Sequence, residues 1–216
     1  MLNRCLTPEL LDSLSPECAE AAHSRRDLKL FNRVMGNPAW LRRTLPRVVR
    51  QRERVLEVGA GTGEVGLALS GLGLDWSGLD LVARPALWPA SWGWHQSDIR
   101  TFSGWERYPV VVANLMLHHL ENADLVAVGR QIDRHARAVV ACEPTRQRRW
   151  QWVFRGVCSL IRANHISRHD GHVSIAAGFR GAELPELLGL SPRRWRWTTT
   201  ISARGVYRLV AQRIKP

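Results

Sequence analysis

With 216 residues and 45 % apolar composition, the chain is long enough to bury one core around a full sheet, and ordinary domain sizes favour a single domain with additions. No run approaches the ~18 apolar residues needed to cross a bilayer as a helix, which excludes a spanning helix and leaves only peripheral membrane contact. Lys plus Arg is 31 against 19 acids, a formal charge of +12, with only Lys29 and Lys215 as lysines; either an arginine-favouring composition or an anionic partner such as RNA, acidic lipid or a phosphorylated substrate accounts for it.

The opening MLNRCLTPELLDSL, broken by Arg4, Pro8 and Glu9, does not resemble a secretory leader. Cys5, Cys18, Cys142 and Cys158 are scattered without a CxxC pair, and together these features predict a reduced, cytoplasmic protein. Residues 1–45 are expected to form a helical cap. Thr7-Pro8, Ser15-Pro16 and Asn37-Pro38 each set a capping side chain before a proline, predicting helix starts at about 8, 16 and 38. Gly36 would close the middle helix and Pro46 the third.

From Arg54 the pattern changes to short apolar strands at 54–58, 75–80, 93–97, 109–114 and 138–142, alternating with helical stretches near 63–70, 84–90 and 122–135. Alternation of this kind predicts an α/β fold with a Rossmann-like, mostly parallel sheet and helices on both faces. Segments 194–200 and 206–212, joined by Ser202-Ala-Arg-Gly205, add a C-terminal hairpin and hence an antiparallel edge, giving seven strands over 46–216. The intervening 144–190 is too long for an ordinary connection and is expected to be a lid or substrate insertion. Within it, Trp150, Val153, Phe154, Val157 and Ile161 recur at helical spacing among arginines over 146–162, a basic amphipathic helix that either packs inward or serves as a lid or a peripheral membrane contact.

The stretch VLEVGAGTGEVG, Val55 to Gly66, is the most informative. A dinucleotide fingerprint G-x-G-x-x-G begun at Gly59 meets Glu64 where a small residue is needed, and begun at Gly61 it leaves Gly59 and Ala60 stranded after the strand. The acid-x-G-x-G-x-G pattern of Glu57, Gly59, Gly61 and Gly63 fits without adjustment. It resembles motif I of the class I S-adenosylmethionine-dependent methyltransferases. Asp80 ends the second strand in GLD, Asp98 follows the third in HQSDI, and the fourth runs into VVANLMLHHLEN, similar to the ubiquinone/menaquinone C-methyltransferase-like (methyltransferase type 11) branch.

The resemblance covers about residues 54–143 and implies S-adenosyl-L-methionine as cofactor, with S-adenosyl-L-homocysteine as product. It places Glu57 near the methionine ammonium, directly or through water and backbone. Asp80 would accept from the ribose hydroxyls, Asp98 from the adenine amine, and Ile99 would offer its N–H. Gly59, Ala60, Gly61, Gly63 and Leu81 would line the cofactor, and Asn114 its methionine end. His118, His119 and His169 are the candidate proton acceptors, chosen because imidazole titrates near neutrality. His165, His169 and His172 have an H-x3-H-x2-H spacing, but without a neighbouring Cys or Glu no metal site is expected; a substrate-contact loop hinged at Gly171 and Gly178 is the expectation there. Strand four lacks an Asn/Asp-Pro-Pro-aromatic ending, and Cys142 stands as core, which favours a small apolar or aromatic hydroxylated, polyketide- or quinone-like acceptor for O- or C-methylation. An RNA methyltransferase, supported by charge alone, and a non-catalytic cofactor-binding partner subunit are the alternatives. Oligomeric state is not encoded in any motif.

Overall fold

The computed structural model describes residues 3–15 and 18–214. Strands β1 (Arg54–Val58), β2 (Asp75–Asp80), β3 (Gly93–Gln96), β4 (Val110–Asn114), β5 (Ala138–Pro144), β6 (Trp195–Ile201) and β7 (Val206–Arg213) form one sheet in the order β3-β2-β1-β4-β5-β7-β6. The first five run parallel, and β7 is antiparallel to both β5 and β6, so the expected C-terminal hairpin makes the edge. β1, β4 and β5 are buried at nearly every position because both of their faces are covered. Leu56, Val58, Val111, Ala113, Val139 and Ala141 meet Leu125, Val128 and Ile132 of α4 (Asn122–His135) on one side. On the other, Val55, Val110, Val112 and Val140 meet Leu41, Leu45 and Val48 of α2 (Asn37–Val48) and Val65 and Leu69 of α3 (Glu64–Leu69).

The boundary expected at 45/46 therefore falls inside α2, a helix of the central core. Pro46 does not end it, because a proline in the last turn forgoes one hydrogen bond while Val49 N–H still closes the helix onto Leu45 O. α2 begins at Asn37 with Gly36 as its cap, and the Asn37 side chain is used elsewhere. The expected start at Pro16 lies outside the described residues; α1 (Ala19–Met35) is capped by Cys18, whose Sγ accepts from Ala21 N–H, and is closed by Gly36 as expected.

No helix starts at 8. A single 3-10 turn spans Leu11–Ser13, and its leading N–H groups, those of Leu10 and Leu11, donate to Asp170 at 2.7 and 3.0 Å. The helix expected near 84–90 is a pair of turns, with Trp88 N–H on Pro85 O and Trp92 N–H on Pro89 O; two prolines four residues apart exclude a ladder there. The insertion comprises α5 (Arg148–Leu160), α6 (His165–Ala177) and the short α7 (Glu183–Leu187). Residues 165–172 are thus helix rather than loop. Gly171 and Gly178 are sites of close approach instead of hinges, since a Cβ would meet Phe154 at 2.0 Å and Pro144 O at 2.2 Å respectively.

Gly129 on α4 gives a direct test of this packing. A Cβ there would stand 2.4 Å from the Leu188 carbonyl oxygen, with backbone on both sides and nothing flexible to move. Gly129→Ala should lower stability by about 1–3 kcal/mol in urea titration. Gly156→Ala on α5, where a Cβ meets nothing within 4 Å, should instead be neutral or stabilise by up to about 1 kcal/mol. Equal effects at the two positions would refute the packing account.

Candidate active site

Strand order reverses between β1 and β4, and the crevice at their carboxyl ends is where a sheet of this kind receives ligands. The glycine-rich loop fills one side of it. Gly59 and Gly61 have φ of +68° and +54°, which L side chains adopt only with strain, and a Cβ on Gly59 would lie 2.1 Å from Met116 Cγ. Beside Gly61 the space is open for 4 Å. The loop is laced to β2: Gly59 and Ala60 donate to Leu79 O at 2.9 and 3.2 Å, and Gly61 N–H donates to Asp80 Oδ2 at 2.7 Å. Gly63 caps α3, while Gly66 has its Cβ space taken by Trp76 and Trp88, so its dinucleotide-like spacing reflects packing.

The acids differ in exposure and in partners. Glu57 is buried under the loop, its Oε2 accepting from Trp76 Nε1 at 2.9 Å. Burial pushes its carboxyl up to about 8, against the pull of hydrogen bonds from Trp76 and the Gly66 N–H. Asp80, half-buried at the end of β2, also accepts from Val82 N–H at 3.1 Å. Asp98 accepts two bonds from Arg100 Nε, each at 3.0 Å, and one from Arg100 N–H at 2.9 Å; these bonds hold its carboxyl below the usual range. Arg100 Nη2 donates to Oδ2 as well, so both oxygens of Asp98 are engaged by Arg100. Ile99 is buried beside it, and Leu81 is 67 % exposed.

Asn114 at the end of β4 joins the N-terminal helices to the sheet. Its Oδ1 accepts from Asn37 Nδ2 at 2.9 Å and its Nδ2 donates to Asn32 Oδ1 at 3.4 Å. Asn37 is completely buried, and its Oδ1 has no hydrogen-bond partner. Sequence patterns gave no sign that Asn32 and Asn37 would meet this strand end.

Past β4, the turn 116–119 holds two of the candidate histidines. Glu143, buried at the end of β5, accepts from the N–H groups of Leu117 and His118 at 2.9 and 3.4 Å, and from His118 Nδ1 at 2.7 Å. The other edge of His118 faces Glu9 Oε1 across 3.8 Å, as does His119 Nε2. Burial opposes charge on His118, but the bonds and fields of Glu143 and Glu9 overcome it and raise its pKa to about 9. Burial and the neighbouring His118 lower that of His119, whose side chain is still one-third exposed. Glu9 is in turn held below the usual carboxyl range; burial raises it, and the bond and charge of the histidines outweigh that. Ser174 Oγ donates to the same Glu9 oxygen.

Among the described residues, Glu9, His118 and His119 are the one group whose three ligating atoms lie within 4.8 Å of one another. Nitrogens and oxygens around a zinc ion at about 2.0–2.1 Å would stand closer, about 3.4 Å apart, and His118 between two carboxylates has a proton-bearing edge toward each. The arrangement suits a proton relay. His169 does not join it: Nδ1 faces Asp170 at 3.0 Å, and His172 faces Gln151 on α5, so the H-x3-H-x2-H spacing brings no shared ligand point. Glu9 and Glu143 were not foreseen; an acid ending the wholly apolar run AVVACEP was the one available signal for Glu143.

No family model and no curated protein matches the chain in sequence. Solved structures do resemble it. The plantazolicin methyltransferase BpumL in complex with SAH has a TM-score of 0.68 at 11 % identity, over 95 % of this chain and 93 % of that one. The pyocyanin biosynthetic protein PhzM gives 0.61 at 16 %, over 96 % of this chain and 62 % of that one. The N-methyltransferase NodS from Bradyrhizobium japonicum WM9, in complex with S-adenosyl-L-homocysteine, gives 0.54 at 15 %, over 85 % and 87 %. The chain shares the Rossmann-like fold of these proteins.

The buried ionisable groups set a pH dependence. Both His118 and Glu57 have folded pKa values above their unfolded ones, about 6.5 and 4.5, so each contributes stability that is complete below its unfolded value and is lost as pH rises through about 9 and about 8. Urea midpoints should therefore fall between pH 6.5 and 9.5. His118→Gln should be less stable at pH 6.5 and show a flatter decline, the Glu57 part remaining. A wild-type midpoint that does not fall over this range overturns the assignment.

Proposed function

We propose that the chain is an S-adenosylmethionine-dependent methyltransferase acting on a small, apolar or aromatic hydroxylated acceptor of polyketide or quinone type, with O-methylation favoured over C-methylation because phenols are common acceptors for this chemistry. The observation that carries the reading is the glycine loop bound to the Asp80 carboxylate at the strand ends, with open space beside Gly61.

The residues present fit the cofactor. Asp80 has lone pairs left after its bonds to Gly61 and Val82 and can accept from a vicinal diol as a charge-assisted pair. Leu81, an exposed leucine, and Ile99 offer apolar contact to a flat ring, with the Ile99 N–H at its polar edge and Asp98 beside it, able to accept from the ring where Arg100 yields one of its bonds. The orphaned Asn37 Oδ1, tied to Asn114, is an acceptor suited to an ammonium, since a buried polar atom left unpaired costs stability until a donor reaches it. Glu57 acts one layer down, through Trp76 and the Gly66 N–H that fix the start of α3. When bound, S-adenosylmethionine supplies a methyl group on sulfonium, already activated toward nucleophiles.

The remaining task for the protein is to hold an acceptor in line, exclude water and take a proton where the acceptor carries one. His119, uncharged near neutrality and at the edge of the turn, is suited to take that proton, with Glu9 opposite it. His118, held charged between Glu143 and Glu9, positions the pair and does not serve as base. His169 is kept outside this role by its contact with Asp170, whose carboxylate caps the 3-10 turn. Met116 and the apolar groups of α6 would shape the acceptor side.

Purified protein incubated with labelled cofactor and a panel of phenols, quinols and tRNA should transfer label to a phenol or quinol. Transfer to tRNA alone would favour the RNA reading, and cofactor binding without transfer to any member would leave the non-catalytic subunit standing. Asp80→Ala should weaken cofactor binding in calorimetry at least tenfold. His119→Ala should leave that affinity intact and lower kcat by about 10²-fold or more.

A further inference from the structure

α5 is apolar on two sides, and the fold uses only one of them. Trp150, Phe154, Val157, Cys158 and Ile161 face inward: Cys158 is buried, the Trp150 ring lies where a Cβ on Gly205 would be, and the Phe154 ring fills the space over Gly171 and meets Phe31 of α1 with centroids 4.9 Å apart. On the opposite side Trp152, Val153 and Leu160 are 70, 50 and 84 % exposed. At about 100° per residue they fall, with Gly156, within about 100° of arc. Arg148 and Arg155, seven residues apart on the helix, stand along one flank of that arc, Arg149 lies within it, and the exposed Arg162 follows just past the helix end. Arg155 lies over the Trp152 ring with Cζ 5.6 Å from its centroid. Between Glu143 and Asp170 the chain has six arginines and no acid.

We propose that this face of α5 docks the protein on an anionic lipid surface. An exposed indole and leucine beside a row of guanidinium groups match the boundary between headgroup and acyl chain, where aromatic and apolar side chains enter and arginines meet phosphates. The absence of acids over 144–169 favours a surface that is negative throughout: Arg146 turns inward to Glu183, while Arg148, Arg149 and Arg155 stand exposed on the helix with no acid in the same stretch of chain. A spanning mode is not open to it: among the described residues no helix is long and apolar enough to cross a membrane. The inference is independent of the methyltransferase reading, since none of these side chains lines the glycine loop or the histidine turn.

Sedimentation with vesicles tests it. The protein should co-sediment with phosphatidylcholine vesicles containing phosphatidylglycerol and release with rising salt, and it should bind pure phosphatidylcholine at least tenfold more weakly. The double variant Trp152→Glu, Leu160→Glu alters only exposed side chains, so its melting temperature should match the parent while vesicle binding falls at least tenfold. Arg148→Gln, Arg155→Gln, Arg162→Gln should lose most of the preference for anionic vesicles. No binding to anionic vesicles overturns the proposal, as does binding that survives the double variant. So does a surface that retains tRNA and not vesicles.

Discussion

The carboxylate of Glu143 is the fixed point on which the histidine side of the crevice depends. It sits at the end of the fully buried β5 with no exposure of its own. A buried charge of this kind destabilises a fold by several kcal/mol unless its oxygens are fully engaged. Glu143 meets that demand by taking the N–H groups of Met116, Leu117 and His118 and the His118 ring. Those bonds hold the single 3-10 turn Leu117–His119, and they set Met116 against the glycine loop on one side and His119 at the mouth on the other.

A second layer closes over the first. Arg4 donates to the carbonyls of His118, Leu120 and Ala177 and to Asn122 Oδ1, so the N-terminal segment is tied to the histidine turn, to α4 and to α6 together. Asp170 receives Leu10 and Leu11 from below, and between these two anchors Glu9 is delivered to the histidines. Asn164 caps α6 through Ser167 N–H and also bonds Ser24 of α1, while Ser167 bonds Asp27. The insertion is therefore keyed to α1 by polar side chains, whose directional bonds fix its placement more narrowly than apolar contact alone would.

These facts explain what was legible in the sequence. Strand positions and the parallel-then-antiparallel pattern followed from period and length, and the glycine loop with Asp80 was readable because its parts are close in the chain and obey one backbone geometry. The 84–90 segment misled because Leu87 and Trp88 look helical in period, whereas Pro85 and Pro89 decide the backbone. Residues 165–172 misled in the opposite sense: glycines that suggest motion in isolation are here the only residues that fit against Phe154 and Pro144. Glu9 and Asn37 were invisible as site residues, because their partners lie far along the chain and no local pattern marks a side chain whose role is set by topology alone.

That asymmetry has a physical basis. The loop side of the crevice is built from β1, β2 and the first turn of α3, consecutive segments joined by backbone hydrogen bonds that any sequence with the right glycines can make. The opposite side is built from residues 4–11, 114–122, 143 and 164–178, brought together largely by side-chain hydrogen bonds between segments far apart in the chain. Similarity in structure at 10–16 % identity is what such a division produces. Backbone bonds that depend on few side chains tolerate such divergence, whereas side-chain bonds between distant segments do not, so under the proposed methyltransferase reading acceptor choice should track residues 4–11, the histidine turn and α6, and not the glycine motif.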